Sequence, residues 1–384
     1  MEFALTDDQR MLQDTLFRTL DRVCPLERVR AAAANDEPYA ADVWAALREV
    51  GAAGVMIPED FGGMGLSLLD AALIAEMLGR SVAPAPFIAS CVMAPLALVG
   101  AGSPAQKSEW LPKLASGEAV AGVAIAEAAG GARDGAGITA SGGRLTGKAL
   151  FVLDFGAADL FIVADRAGGL HLVRGDAEGV TRTALTTIDA TRRIGELAFD
   201  DVTAEPLTEG DAPATLRRMI DAGRVILAAD ILGAGERMIE KAVAYAHERK
   251  QFGRVIGSFQ AVKHLCAEMA AELEPCRSLV WYAAYAFDAV PDQAAMLAAH
   301  AKAHLSETGT FVARTATEVH GGMGFTDLLG LHYWFKRIGF DRQMLGGPER
   351  VRQEAAVAQG WVALNDPAAG GKETRLDRRF RQDH

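Results

Sequence analysis

Apolar positions recur along this chain with two different periods. Up to about residue 117 the period is helical. Leu12, Leu16 and Leu20 recur every four residues and build one apolar stripe. Thr6 stands just ahead of that stripe, where its side-chain oxygen accepts from the free amides of a first turn. Val43–Val50 and Leu68–Leu78 repeat the pattern. Phe87 to Gly102 is the longest apolar stretch; Ser90 and Pro95 interrupt it, it is too short to span a bilayer, and it reads as a buried helix. Pro58-Glu59-Asp60-Phe61-Gly62-Gly63-Met64-Gly65 is a loop that either simply turns or lets its backbone approach something closely.

From about 118 to 210 the rhythm changes. No proline occurs between Pro112 and Pro206, and short apolar runs alternate with glycine-containing turns. Val120–Ala126, Arg144–Leu153, Leu160–Ala164, Leu170–Val173 and Glu196–Phe199 have strand length, which predicts a β-rich segment. From about 211 to 362 the helical period returns. Met219, Ile226, Ile231, Met238, Ala242 and Tyr245 mark a long amphipathic helix. A second helix is predicted from about Phe259 to Phe287, with a bend at Pro275, and a third from Gln293 to about His320. Three long helices in series point to an antiparallel bundle. The expected division is 1–117 helical, 118–210 β and 211–384 helical.

Composition narrows the function classes. The chain has 384 residues, half of them apolar, enough for a large core and two or three domains. A formal net charge of −11 argues against a nucleic-acid surface. Cys24, Cys91, Cys266 and Cys276 are widely spread and form no CxxC pair, so neither a disulfide framework nor a metal site is expected. Met1 to Arg10 carries Glu2, Asp7 and Asp8 and no basic run, so it does not read as a secretory signal. A cytoplasmic protein without membrane attachment is the expectation. The charged tail after Pro367 reads as a solvated end.

Two segments carry candidate chemistry. His247-Glu248-Arg249-Lys250-Gln251-Phe252-Gly253-Arg254, followed by Ser258-Phe259-Gln260, puts arginine beside an aromatic ring on a turn. Such a pair suits a dinucleotide, because guanidinium binds pyrophosphate in bidentate fashion and the ring stacks on a purine. The same residues also serve as a basic helix end facing the macrodipole, and both readings stay open. Glu318-Val319-His320-Gly321-Gly322-Met323-Gly324-Phe325-Thr326 has three glycines in four residues, which lets backbone amides approach a ligand or simply caps a helix. His320 by itself reads as structural.

In this order and separation, RKQFGR…FQ followed by EVHGGMGFT resembles the paired signature of the acyl-CoA dehydrogenases. The PEDFGGMG loop, the AIAE segment and the LTGKALFVLD strand sit where that family has counterparts, so the resemblance spans roughly residues 3 to 362. It implies an α+β fold: an N-terminal helical domain, a central β-barrel-like domain and a C-terminal four-helix bundle. It implies FAD, an acyl-CoA substrate, an electron-transferring flavoprotein as electron acceptor, and a tetramer. By the same resemblance Arg249 meets the FAD pyrophosphate, Phe252 packs on the adenine side and Gln260 lies nearby. Glu318, Gly321 and Gly322 approach from across a dimer interface; the family usually has glutamine at the position of Glu318. Asp221 and Arg224 match positions beside the pantetheine arm, and are expected to touch substrate.

The family reaction removes an α-proton with a glutamate while hydride leaves the β-carbon for the flavin. Here the chain departs from the pattern. The usual Tyr-Glu-Gly-Thr stretch reads Leu345-Gly346-Gly347-Pro348, so Gly346 stands at the position of the base. The alternative base position, on the long helix before a basic residue, is Gly223. Ala126, Leu153 and Pro348 replace three threonines expected around the flavin. No catalytic residue is identified; Glu349 and Asp341 are the carboxylates nearest in sequence. Three readings follow: an active dehydrogenase with a non-standard base, a non-catalytic subunit that shares FAD with a glutamate-bearing paralogue in a heterotetramer, or different flavin chemistry on the same fold.

Overall fold

The computed structural model describes residues 4–131 and 133–361; the charged tail after Pro367 lies outside them. Six helices come first: α1 (Asp7–Val23), α2 (Leu26–Ala34), α3 (Ala41–Glu49), α4 (Leu68–Arg80), α5 (Ala94–Ala101) and α6 (Pro104–Ala115). Thr6 caps α1 reciprocally. Its hydroxyl oxygen accepts from the Gln9 amide at 3.2 Å, and its own amide donates to the Gln9 side chain at 3.1 Å. Leu16 and Leu20 are buried, and Leu12 packs against the same core. The apolar stretch expected to form one helix from Phe87 forms instead a π-helical run, Ile88–Met93, that leads into α5. Pro95 has no N–H to return to the Cys91 carbonyl, which favours a break in the α-helical ladder there.

The strands form one curled sheet: β1 (Ala121–Ala124), β2 (Gly137–Ser141), β3 (Arg144–Leu153), β4 (Leu160–Ala164), β5 (Leu170–Arg174), β6 (Val180–Ala184), β7 (Ile194–Thr203) and β8 (Glu205–Pro206). A five-residue helix, α7 (Ala126–Gly130), follows β1 and ends the first strand earlier than the apolar run did. The order is β6-β7-β3-β1-β4-β5-β8, with β2 paired to β3. Only β1 and β4 run parallel. One face, including Val123, Leu153, Leu160 and Ile162, joins the helical core; the other closes on itself around Leu145, Val152, Phe161 and Leu197. The polar strands β2, β6 and β8 carried no alternating signal strong enough to predict them.

The chain then enters α8 (Ala212–Glu248). A minimal hairpin of β9 (Lys250–Gln251) and β10 (Arg254–Val255) leads to α9 (Gln260–Ala289), α10 (Pro291–His320), α11 (Leu331–Gln343) and α12 (Pro348–Ala358). The helical rhythm predicted the first three with ends within a few residues. α9 continues through the exposed Pro275 as one helix. Where α4 crosses α8, glycines face each other's backbone. A Cβ added to Gly79 would lie 2.0 Å from the Asp230 carbonyl oxygen, and one added to Gly233 would lie 1.8 Å from that of Glu76. Only glycine allows this approach.

Among the described residues all four cysteines are free, and no cluster of three or more His, Cys, Asp or Glu side chains is placed to hold a metal ion. No helix there is long and apolar enough to cross a membrane.

Candidate functional site

The loop between α11 and α12 is pinned at several points. Lys302, fully buried on α10, donates from Nζ to the Arg342 carbonyl at 2.9 Å and to Ser306 Oγ at 3.3 Å. Burial pushes that amine down to about 7. Arg224, buried on α8, donates from Nε to the Leu345 carbonyl at 3.0 Å and pairs through Nη1 with Glu354 at 2.7 Å. Between these anchors the backbone is unusual: Leu345 has φ +56° and Gly346 φ +103°. A buried leucine in the left-handed region stays there only when its surroundings hold it.

Beneath the loop a buried ion network joins the segment ahead of β7 to α8 and α11. Arg337 Nε donates to Asp189 at 2.7 Å and Nη1 to Asp230 at 3.3 Å. Arg192 donates to Asp341 at 2.6 Å and also pairs with Asp230. Burial pushes Asp341 well above the usual carboxyl range, against the pull of Arg192, and the neighbouring Asp230 carboxyl adds to the rise. Asp230 Oδ1 and Asp341 Oδ2 find no donor on any other group. The raised Asp341 carboxyl is thus held in its neutral form more readily than an exposed carboxyl would be.

The loop, the ends of α7, α11 and α12, and the strands β3 and β7 line an open cavity of about 470 Å³, with apolar walls that include Phe151, Ile188, Ile194, Phe340 and Met344. Gly130, Gly339, Gly346 and Gly347 add backbone, while Arg133, Arg350, Gln343 and Glu349 form the polar part. Phe151 has φ +54° at a register shift between β3 and β7, and the Arg133 guanidinium lies 4.5 Å from its ring centroid. Flat apolar walls, close glycine backbone and a polar rim fit a fused aromatic ring such as a flavin.

The two sequence segments meet elsewhere. Tyr245 on α8 stacks on His320 at the end of α10, with centroids 4.7 Å apart and planes 28° from parallel. His320 Nδ1 lies 2.7 Å from the Ala316 carbonyl and donates to it, and burial lowers its pKa, so the imidazole is a neutral structural group. Phe252 and Gly253 form the turn of the β9–β10 hairpin, both with positive φ (+52° and +77°), as a type I′ turn requires. Phe252 is 91% exposed on that turn. Gly321 and Gly322 open onto free space, since a Cβ on either would meet nothing within 4 Å.

Of the residues singled out in the sequence, Ala126, Gly346 and Glu349 line the cavity. Leu153 does not: it is buried in the core beneath the sheet. Arg249, Phe252, Gln260, Glu318, Gly321 and Gly322 do not line it either. Asp341 is enclosed in the ion network, and Glu349 is exposed at the start of α12 and paired with Arg342 at 3.3 Å. The helix-start amide and Arg342 hold the Glu349 carboxyl below the usual glutamate range. Asp221 lies 4.0 Å from Arg224, and burial raises its carboxyl to about 6. Sequence reasoning missed Arg133, Arg350 and the Arg192–Arg337 network. Arg133 and Arg350 lie in loop and helix-start segments whose pattern gives them no role, and the partners of Arg192 and Arg337 are tens to more than a hundred positions away.

Comparison with known proteins agrees with this geometry. The sequence profiles described as acyl-CoA dehydrogenase N-terminal domain and acyl-CoA dehydrogenase C-terminal domain match residues 6–118 and 214–360. The chain is 32% identical to acyl-CoA dehydrogenase IpdE2 of Mycobacterium tuberculosis, over 90% of this chain and 95% of that protein. It is similar to the solved Tcur3481-Tcur3483 steroid ACAD G363A variant, with TM-score 0.83, 29% identity and coverage of 92% and 98%. It is also similar to the ChsE4-ChsE5 complex of Mycobacterium tuberculosis, with TM-score 0.85, 26% identity and coverage of 95% and 100%.

Proposed function

The chain belongs to the acyl-CoA dehydrogenase family, and on that premise we propose that it is the glutamate-lacking subunit of a heteromeric enzyme, sharing FAD with a partner chain that carries the base. Membership makes it a flavoprotein oxidoreductase acting on the CH–CH bond of acyl-CoA. When bound, FAD supplies the acceptor for the hydride that leaves the β-carbon.

The observation that carries the proposal is the state of both base positions. Gly346 has φ +103°, a conformation that an L-glutamate adopts only under strain. Around it, an added Cβ would meet Val351 at 3.1 Å and Arg224 Nη2 at 3.3 Å. At Gly223 an added Cβ would lie 2.4 Å from Leu345 Cδ1. The loop is therefore built around the absence of a side chain at both places. Glu349, the one carboxylate lining the cavity among the described residues, is exposed and ion-paired, the opposite of the buried, raised-pKa carboxylate that α-proton removal needs. Two of the similar solved structures carry paired protein names, Tcur3481-Tcur3483 and ChsE4-ChsE5, which supports the same reading for this chain.

In this proposal the cavity walls Phe151, Ile194 and Phe340 seat the flavin ring, and Arg133 and Arg350 offer their charge at its polar rim. Arg249, Phe252 and Gln260, with Glu318, Gly321 and Gly322, serve the adenosine half at a subunit interface. They line no part of this chain's own ring cavity, and their exposed hairpin and open glycines support completion across chains. Asp221 and Arg224 face substrate or its partner-borne counterpart, and electrons leave through an electron-transferring flavoprotein. The parts 1–117, 118–210 and 211–384 act as three domains, a division supported by the change of element type at both junctions.

The test is anaerobic titration of the purified, FAD-loaded chain with acyl-CoAs while the flavin spectrum is followed, alone and after co-expression with a glutamate-bearing paralogue. Bleaching only in the co-expressed assembly is the expected result. Bleaching by the lone chain would overturn the proposal and make Glu349→Gln the next variant.

A further inference from the structure

Leu345 is packed in a way that the loop's backbone must strain to allow. Its side chain is buried, its φ is +56°, and its Cδ1 fills the place where any side chain at position 223 would begin, 2.4 Å from the ideal Cβ. Met93 closes the same spot, with Sδ at 3.1 Å and Cε at 3.3 Å from that point. Met93 ends the π-helical run Ile88–Met93, a kind of irregularity that frequently marks functional places. Arg224, the residue after Gly223, anchors the Leu345 carbonyl at 3.0 Å and lies beside Gly346 through Nη2. Leucine and methionine therefore close on Gly223, and arginine joins that packing to Gly346.

A base at either position has to reach the same α-carbon. On that reading the reacting carbons of an acyl thioester would lie within reach of both positions, against a flavin in the neighbouring cavity. That cavity remains open at about 470 Å³, with Leu345 itself in its lining.

We propose that Leu345 is a plug that excludes the acyl chain from this chain's own site while leaving the flavin cavity open. The plug rests on the reading of Gly223 and Gly346 as the two base positions. It adds a statement that the missing glutamate does not entail: this chain discriminates against the acyl group by occlusion, besides lacking a base. A chain that had merely lost its carboxylate would still bind substrate and hold it unreacted.

The experiment is calorimetric titration of the FAD-loaded chain with 3-thiaoctanoyl-CoA, whose sulfur replaces the β-carbon, so that it has no β-hydride to give, and with free CoA. For the wild type the thioester is expected to bind no more tightly than CoA. In Leu345→Ala the acyl chain gains room, and the thioester is expected to outbind CoA by ~10-fold or more, as a few newly buried methylenes do. Met93→Ala opens the same space from the other side and is expected to shift the ratio in the same direction, which keeps the test alive should Leu345→Ala fail to fold. A wild type that already prefers the thioester ~10-fold would overturn the plug without any variant. So would folded, flavin-loaded variants whose ratio stays at the wild-type value. Co-expression activity tests the subunit reading separately: a preference for the thioester in wild type, with turnover only beside a partner, removes the plug and leaves that reading intact.

Discussion

At the scale of single residues, glycine sets the packing between α8 and the loop that follows α11. Gly223 and Leu345 form a knob and socket, so Gly223→Ala is expected to destabilise the chain by ~1–3 kcal/mol in urea unfolding, through overpacking. The same substitution in a Leu345→Ala background should cost less, and the double-mutant cycle should show a coupling of at least ~0.5 kcal/mol. Asp221 gives a pH signature. Its folded pKa of about 6 lies above the ordinary 3.8, so the fold favours the neutral form. The stability it contributes is complete below about pH 4 and is lost as pH rises through about 6, at no more than ~1.4 kcal/mol per unit. Asp221→Asn carries no charge to bury, so its stability relative to wild type should rise from about pH 4 to pH 7 in parallel unfolding curves. The glycines and Asp221 could be read directly from the chain. The leucine that fills the socket could not, because no local pattern says where a loop residue 122 positions away comes to rest.

At the scale of elements, crossing helices and their breaks set the frame. The glycine contacts between α4 and α8 hold two backbones closer than any side chain permits. Gly79→Ala puts a methyl about 2.0 Å from the Asp230 carbonyl oxygen, and the helices must separate. A fall in stability of ~3 kcal/mol or more is expected, read as a lower melting temperature with unchanged helicity. Pro275 offers the opposite case. It lies exposed inside α9 and removes one ladder hydrogen bond, so Pro275→Ala should stabilise the chain by ~1–3 kcal/mol, measured by chemical unfolding. Periodicity found α1, α3, α4, α8, α9 and α10 because each buries one face against a shared core. It missed the π-helical run, which depends on the missing amide of Pro95 within an apolar stretch that reads as helix throughout. It also missed β2, β6 and β8, which are short and mostly polar, so their apolar positions show no clear alternation.

At the scale of the whole molecule, the three most exposed large apolar residues stand in or beside the two signature segments. Phe252 is 91% exposed, Phe325 80% and Leu328 73%. Rings this open on short turns serve contacts outside the chain. Phe252→Ser and Phe325→Ser are expected to weaken assembly and FAD retention together, seen as a smaller sedimentation coefficient and a lower ratio of flavin to protein absorbance. Loss of flavin with assembly unchanged would instead place these rings on the cofactor alone. The buried Arg192–Arg337 network ties the segment ahead of β7 to α8 and α11, and residues beside it in sequence, Ile188, Ile194 and Phe340, line the cavity, so the cavity's shape depends on how those parts dock.

By itself, the sequence determined the family, the helical and strand-rich regions and the glycines at positions 223 and 346. Each of these is written in local order: a period of apolar residues, a run of motif letters, a glycine in place of a carboxylate. Only the tertiary structure decided what fills the space those glycines leave. It brought Leu345 and Met93 against Gly223 and Arg224 beside Gly346, set Asp230 and Asp341 in one buried ion network, and placed the cavity apart from the segments that carry the family signature. Those outcomes depend on packing between distant elements, where volume and burial act, and no stretch of the chain records them in its own neighbourhood.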